Sequence, residues 1–127
     1  MDARRAIRGA AETAIRLARD RVQDAKVALG ERGEPWWDEP SEAGRRARMA
    51  AAMRALLQHR DPEKTICPSD AARVVGGSGW RSAMDAARSV AAELAEAGVI
   101  EVRQGGVRVD IATVRGPIRL GRGAAWR

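Results

Sequence analysis

Phe and Tyr are both absent from the 127 residues of this sequence, and Cys and His occur once each. The single cysteine, Cys67, excludes an intrachain disulfide and a metal site built from several cysteines. No apolar run approaches the roughly 20 residues that a membrane-spanning helix needs. Charged residues interrupt the N-terminal segment throughout, unlike a secretory signal. The sequence therefore predicts a cytoplasmic protein that needs no metal or other cofactor.

The few residues that are able to do catalytic chemistry are isolated from one another along the chain. His59 stands near the predicted C-terminal end of a helix and Cys67 at the N-terminal end of the next one, and a single His with a single Cys gives no convincing Cys-His or Ser-His pair. The glycine-rich stretch at residues 76–79 is too short for a phosphate-binding loop and lacks the lysine that follows one. We therefore expect that the protein is not an enzyme.

Lysine is also scarce, since only two of the 23 basic residues are Lys, against 17 acidic residues. The net charge of +6 is unevenly placed, because residues 103–127 contain six Arg and a single acidic residue, Asp110. Arginine suits phosphate groups and acidic partners because its planar guanidinium donates hydrogen bonds in pairs. A GC-rich genome explains the excess of Arg equally well, so the position of the charge is more informative than its total.

Apolar residues at a 3,4 spacing predict an amphipathic helix over residues 3–28 and make residues 1–29 an N-terminal extension. Its stripe is mostly alanine, which favours packing on the rest of the protein or on a second copy. A basic helix that binds nucleic acid is the alternative. Residues 30–41 form a linker with two Gly and two Pro. Trp36 and Trp37 within it either anchor the N-terminal helix or form a stacking platform for a base or ligand.

Residues 42–120 are predicted to form one domain, followed by a basic tail at residues 121–127. Ser41 is a favourable N-cap for the first helix of this domain. The apolar periodicity predicts that this helix ends at about His59, just before the turn that contains Pro62.

The next two predicted helices are closely spaced. The short one covers residues 68–76, with Pro68 at its first position. The longer one covers residues 79–97, with Ser78 as its N-cap. The short glycine-rich connection is of the kind that a helix-turn-helix requires. The side chains of the three helices that are expected to face the core include Ala43, Ala47, Ala50, Met53, Leu57, Val75, Trp80, Met84, Ala87, Ala91 and Leu94.

Alternating apolar and polar residues predict two strands that meet at Gly105 and Gly106, a pair suited to a two-residue hairpin turn. The element order is then that of a winged helix-turn-helix, with residues 103–108 as the wing. The expected fold class is mainly α with a small β-hairpin, preceded by the N-terminal amphipathic helix.

In a helix-turn-helix protein, the second helix enters the major groove and its N-terminal half contacts base edges. The outward face of helix 79–97 begins with Arg81, Ser82 and Arg88 and becomes acidic in its second half. The residues predicted to contact duplex DNA are Arg81, Ser82, Arg88, Arg103, Gln104, Arg108, Arg115, Arg119 and Arg122. The alternative is a domain that contacts a protein partner, in which the last Arg residues brace the hairpin or are solvated.

Three stretches carry a resemblance to a known family. They are "CPSDAARVVGG", "WRSAMDAARSVAAELAEAGVIEVRQGG" followed by "VRVD", and "GPIRL". As a set, over residues 65–120, they resemble the bacterial Domain of Unknown Function 3253 family. The resemblance implies a winged-helix fold, and it brings no catalytic residues and no activity with it.

Overall fold

The computed structural model describes residues 3–29 and 41–126, with the side chains of the first helix described at residues 9 and 11–29. Trp36 and Trp37, and with them the predicted anchor or stacking platform, lie outside the described residues. The fold is mainly helical with a small antiparallel sheet, so the expected fold class is confirmed. The elements are α1 (Ala3–Ala28), α2 (Glu42–Gln58), α3 (Pro68–Gly76), a 3-10 helix (Gly77–Ala83), α4 (Met84–Glu96), β1 (Ile100–Gln104), β2 (Val107–Arg108) and β3 (Arg119–Arg122).

Helix α2 begins and ends where the sequence predicts. The Ser41 hydroxyl accepts a hydrogen bond from the Gly44 N–H at 3.0 Å, and His59 is the C-terminal cap residue. The predicted buried face is only partly right, because Ala43 and Ala47 are exposed. The first two turns lie largely in solvent, whereas the middle of α2 packs against α1, α3 and α4 and is buried on several sides.

The start of α3 is fixed by local hydrogen bonds. The Asp70 carboxylate accepts from the Cys67 N–H at 2.9 Å, and Pro68 occupies the first helical position, where its missing N–H costs nothing. The predicted cap at Ser78 is wrong, because α-helical structure resumes only at Met84. Three glycines within residues 76–79 lower the helix propensity there, and the chain forms the tighter 3-10 helix instead.

The core is built from aliphatic side chains, with no aromatic side chain among its fully buried members in the described residues. Leu57, Ala87 and Ala91 are buried as predicted. Trp80 and Leu94 are instead half-buried at the edge of the core. The largest fully buried side chains are Met49, Met53, Leu57, Ile66, Pro68, Val90 and Leu120.

The sheet has the strand order β2-β1-β3, with both pairs antiparallel. Gly105 and Gly106 form the predicted two-residue turn, and both have the positive φ angles, 60° and 81°, that favour glycine in such turns. Strand β3 was not predicted, and the expected basic tail from residue 121 starts inside it. Leu120 of β3 is fully buried, and its backbone exchanges two hydrogen bonds of 2.8 Å with Ile66.

Among the α1 residues whose side chains are described, those of the last turns pack on α2. Val27 and Ala28 lie on this side, and the Asp24 carboxylate accepts two hydrogen bonds from the Arg54 guanidinium, at 3.0 and 3.1 Å. The predicted apolar stripe does not form this contact, since Ile15 and Val22 are exposed. No helix in the described ranges is both long and apolar enough to cross a membrane.

Candidate nucleic-acid interface

An exposed arginine–tryptophan cluster marks the connection between α3 and α4. The guanidinium carbons of Arg73 and Arg81 lie 4.5 and 4.6 Å from the centre of the Trp80 ring. Stacking on the ring holds each cation by a cation–π attraction. Both Arg side chains are exposed, so the cluster presents two positive charges to solvent.

The other two residues of this region that were predicted to contact DNA, Ser82 and Arg88, come after Arg81 along the chain. Ser82 is exposed in the 3-10 helix and donates its hydroxyl proton to the Gly79 carbonyl at 2.8 Å. Arg88 is half-buried one turn into α4, after the exposed Asp85. Arg81 and Ser82 therefore lie in the 3-10 helix and Arg88 in α4, and Arg88 is less exposed than the outward position that the sequence suggested.

The acidic second half of α4 is partly neutralised from α2. The Arg46 guanidinium forms an ion pair with Glu93 and donates to the Ser89 hydroxyl at 3.1 Å. Sequence periodicity within α4 cannot reveal this contact, because Arg46 comes from another helix. In the folded protein, the second half of α4 therefore carries less uncompensated negative charge than its own sequence suggests.

The two arginines of the hairpin differ in their exposure and in their ion pairs. Arg103 is half-buried and forms an ion pair with Glu101 at 2.8 Å. Gly121 makes room for it, because a Cβ on Gly121 would lie 3.0 Å from the guanidinium carbon. Arg108 has a side chain that is 78% exposed and lies 4.0 Å from Glu101, at the limit of an ion pair. Arg108 is thus the exposed, weakly paired cation of the hairpin, and Arg103 is held by its ion pair with Glu101.

Gln104 anchors the connection between β2 and β3. Its amide nitrogen donates to the carbonyl oxygens of Arg115, at 2.6 Å, and Pro117, at 3.0 Å. A turn at Asp110 compacts the same connection, since the Val114 N–H donates to the Asp110 carbonyl at 2.9 Å. Gln104 therefore fixes the backbone at Arg115, whereas the Arg115 side chain itself is exposed.

The last two predicted cations form internal hydrogen bonds. Arg119 donates to the hydroxyl and the carbonyl of Thr65, each at 3.0 Å. Arg122 donates to the carbonyls of Leu57 and Arg60, each at 3.1 Å, at the C-terminal end of α2. Its guanidinium also lies 5.0 Å from the Trp126 ring centre. These contacts hold β3 against the segment that follows α2, rather than bracing the hairpin.

Apart from Ser82 and Arg88, the nine predicted residues divide into two groups. Arg81, Arg108 and Arg115 are exposed and, within residues 3–29 and 41–126, Arg81 and Arg115 have no ion pair. Arg103, Gln104, Arg119 and Arg122 hold parts of the domain together. Sequence reasoning missed Arg73, which joins Arg81 on Trp80 across the glycine-rich connection. The spacing of seven residues between Arg73 and Trp80 is a weak signal, because it becomes a contact only through the geometry of the turn.

In the part of the chain that the structure describes, no three His, Cys, Asp or Glu side chains are grouped so that they could hold a metal ion. Cys67 is half-buried and its sulfur accepts a hydrogen bond from the Ser69 hydroxyl at 3.1 Å.

A family match covers most of the described residues that follow α1. The family described as "Protein of unknown function (DUF3253)" matches residues 46–123. The chain belongs to the DUF3253 family. The match is longer than the resemblance seen in the sequence, because it includes most of α2 and all of β3. Helix α1 lies outside the DUF3253 domain, and the chain matches no curated protein.

Proposed function

We propose that the DUF3253 domain is a winged helix-turn-helix module that binds duplex DNA without catalysing a reaction. Helices α3 and α4 are the helix pair, and α4 with its 3-10 start is the helix that enters the major groove. The hairpin at residues 103–108 and the connection that follows it, to residue 118, form the wing. The bridge between Ile66 and β3 supports this assignment, because it places a short extended segment between α2 and α3 at the edge of the sheet.

The observation that carries the proposal is the pair of exposed guanidiniums on Trp80. Stacking orders Arg73 and Arg81 before any ligand arrives, so less side-chain entropy is lost when they contact phosphates or bases. Arg81 lies at the start of the pair's second helix, where groove-binding helices contact base edges, and Arg73 lies beside it in the last turn of α3. Asp85 is the nearest exposed acidic residue along the chain, and it forms no ion pair among the described residues.

The candidate residues take two roles in this proposal. Arg73, Arg81, Ser82 and Arg88 contact DNA from the helix pair, and Arg108 and Arg115 contact phosphates from the wing. The positioning residues form their hydrogen bonds with other groups of the domain. They are Arg103, Gln104, Arg119 and Arg122.

The test is a titration of the full chain against fluorescent random-sequence duplex DNA at several salt concentrations. Five phosphate contacts predict a slope of log K against log salt of about −4 to −5. The dissociation constant for non-specific binding should lie in the range of roughly 10⁻⁶ to 10⁻⁴ M at physiological salt. Absence of binding at about 50 mM salt, where electrostatic attraction is strongest, would contradict the proposal and favour a protein-binding role.

Variants separate the two groups of residues. Arg108→Ala combined with Arg115→Ala should weaken binding to all sequences alike and reduce the salt slope by about two. Arg81→Ala should also alter any sequence preference, because it removes a base-edge contact. Arg119→Ala is the matched control, since it removes the same charge from a brace. It should lower stability and leave the binding of the folded protein nearly unchanged.

A further inference from the structure

Helix α1 carries an exposed apolar stripe with a heptad spacing. Ile15, Val22 and Leu29 follow one another at intervals of seven residues and are 53%, 52% and 65% exposed. Ala18 and Ala25 lie between them and complete a 3,4 repeat on the same face. This is the spacing by which two helices pack side by side in a coiled coil.

The stripe is separate from the side of α1 that holds it to its own domain. The contact with α2 uses Asp24, Val27 and Ala28, which lie on an adjacent side of the helix. A groove runs along the stripe and consists of two clefts. One has a volume of about 940 Å³ and lies next to Val22 and Leu29, and the smaller one lies next to Ile15 and Val22. Beyond α1, the larger cleft is lined by α2 and by the segments that contain Val99 and Trp126.

We propose that a second copy of this chain fills the groove with its own α1, so that the two stripes pack against each other in antiparallel orientation about a two-fold axis. The inference does not depend on DNA binding. It goes beyond the general packing role predicted for α1, because it specifies the face, the occupant and the direction of pairing. A two-fold contact of this kind is self-complementary and closes on two copies.

The charges beside the stripe select both the occupant and its direction. Glu12, Arg19 and Lys26 flank the stripe at intervals of seven residues. In an antiparallel pair centred between Ala18 and Val22, Glu12 of each copy faces Lys26 of the other. Arg19 on this flank and Arg21 on the other flank then each meet their counterpart near the axis, which limits the affinity. A parallel pair would offer no attraction and would place Arg21 against Lys26.

The expected dimer is weak because one helix supplies most of the contact. A stable interface usually buries about 800 Å² on each partner, with roughly 20–30 residues a side. The seam has five apolar residues and the adjoining cleft, so it buries less area than such an interface. We therefore expect a monomer–dimer equilibrium with a dissociation constant on the order of micromolar.

Sedimentation velocity of the full chain, from about 1 to about 200 μM, measures this equilibrium. The double variant Ile15→Glu/Val22→Glu should raise the dissociation constant by at least about 100-fold, because it buries unpaired charges at the seam. Thr13→Glu is the matched control, since Thr13 is exposed on the opposite side of α1. Both variants should keep the wild-type far-UV circular dichroism spectrum, because all three side chains are exposed in the single chain.

Charge reversal tests the direction of pairing. Glu12→Lys should weaken the dimer, and adding Lys26→Glu should restore it. A wild-type chain that remains monomeric at about 200 μM overturns the proposal, as does a dimer that survives the double Glu variant. A charge swap that fails to restore association overturns the antiparallel arrangement.

Discussion

Gly123 passes so close to the backbone before and at the start of β1 that any side chain on it would collide. A Cβ at this position would lie 2.8 Å from the Ile100 carbonyl oxygen and 2.9 Å from the Gly98 carbonyl carbon. Ordinary Cβ contacts begin at 3.4 Å. The atoms in the way belong to the backbone, so no side chain can rotate aside. Gly123→Ala therefore requires the two chain segments to separate by more than half an ångström.

That separation would break two backbone hydrogen bonds. The Gly123 N–H donates to the Val99 carbonyl at 3.0 Å, and the Ala125 N–H donates to the Gly98 carbonyl at 2.9 Å. Each such bond contributes about 0.5–1.5 kcal/mol to stability, so the expected loss is about 1–3 kcal/mol. In a domain of 60–100 residues, 1 kcal/mol corresponds to about 4–8 °C in the melting temperature. Gly123→Ala should thus lower Tm by roughly 5–20 °C.

Thermal unfolding followed by circular dichroism measures the effect. Gly9→Ala is the control, because no atom lies within 4 Å of a Cβ at this helical position. It introduces the same methyl group and should raise helix stability by up to about 1 kcal/mol. A Gly123→Ala protein that melts at the wild-type temperature would refute the close approach of the chain to β1.

Two further substitutions test the description of the core. Leu120→Ala should cost about 3–5 kcal/mol in urea unfolding, because the side chain is fully buried between β1 and Ile66 and leaves a cavity. A loss below about 1 kcal/mol would show that β3 does not belong to the core. Trp80→Ala should cost less, about 1–3 kcal/mol, because the ring is only half-buried. Equal losses for the two variants would contradict the position of Trp80 at the edge.

Local sequence signals predicted the parts of the fold that depend on neighbouring residues. Ser41, Pro68 and the Gly105 and Gly106 pair each act within one turn of the chain, so their structural roles follow from residue type and position. The bounds of α1 and α2 follow in the same way from apolar periodicity and caps.

The missed features depend on residues far apart in the sequence. Strand β3 is four residues long, with one apolar side chain, and alternation cannot be recognised over so short a stretch. Its pairing with Ile66 is what makes Arg119 and Arg122 braces rather than free cations. For the same reason, the candidate site could be predicted by region but not residue by residue, since the partners of each cation come from other elements.

The position of β3 also has a consequence for the order in which the domain acquires its structure. Arg119 is 54 residues from its partner Thr65, and Arg122 is 65 residues from Leu57. The helices can form from nearby contacts, but Ile66 and Leu120 cannot be buried until this long loop closes. We therefore expect loop closure to be the slow step of folding. In the native state, the backbone amides of Ile66 and Leu120 should exchange their hydrogens only when the whole domain opens.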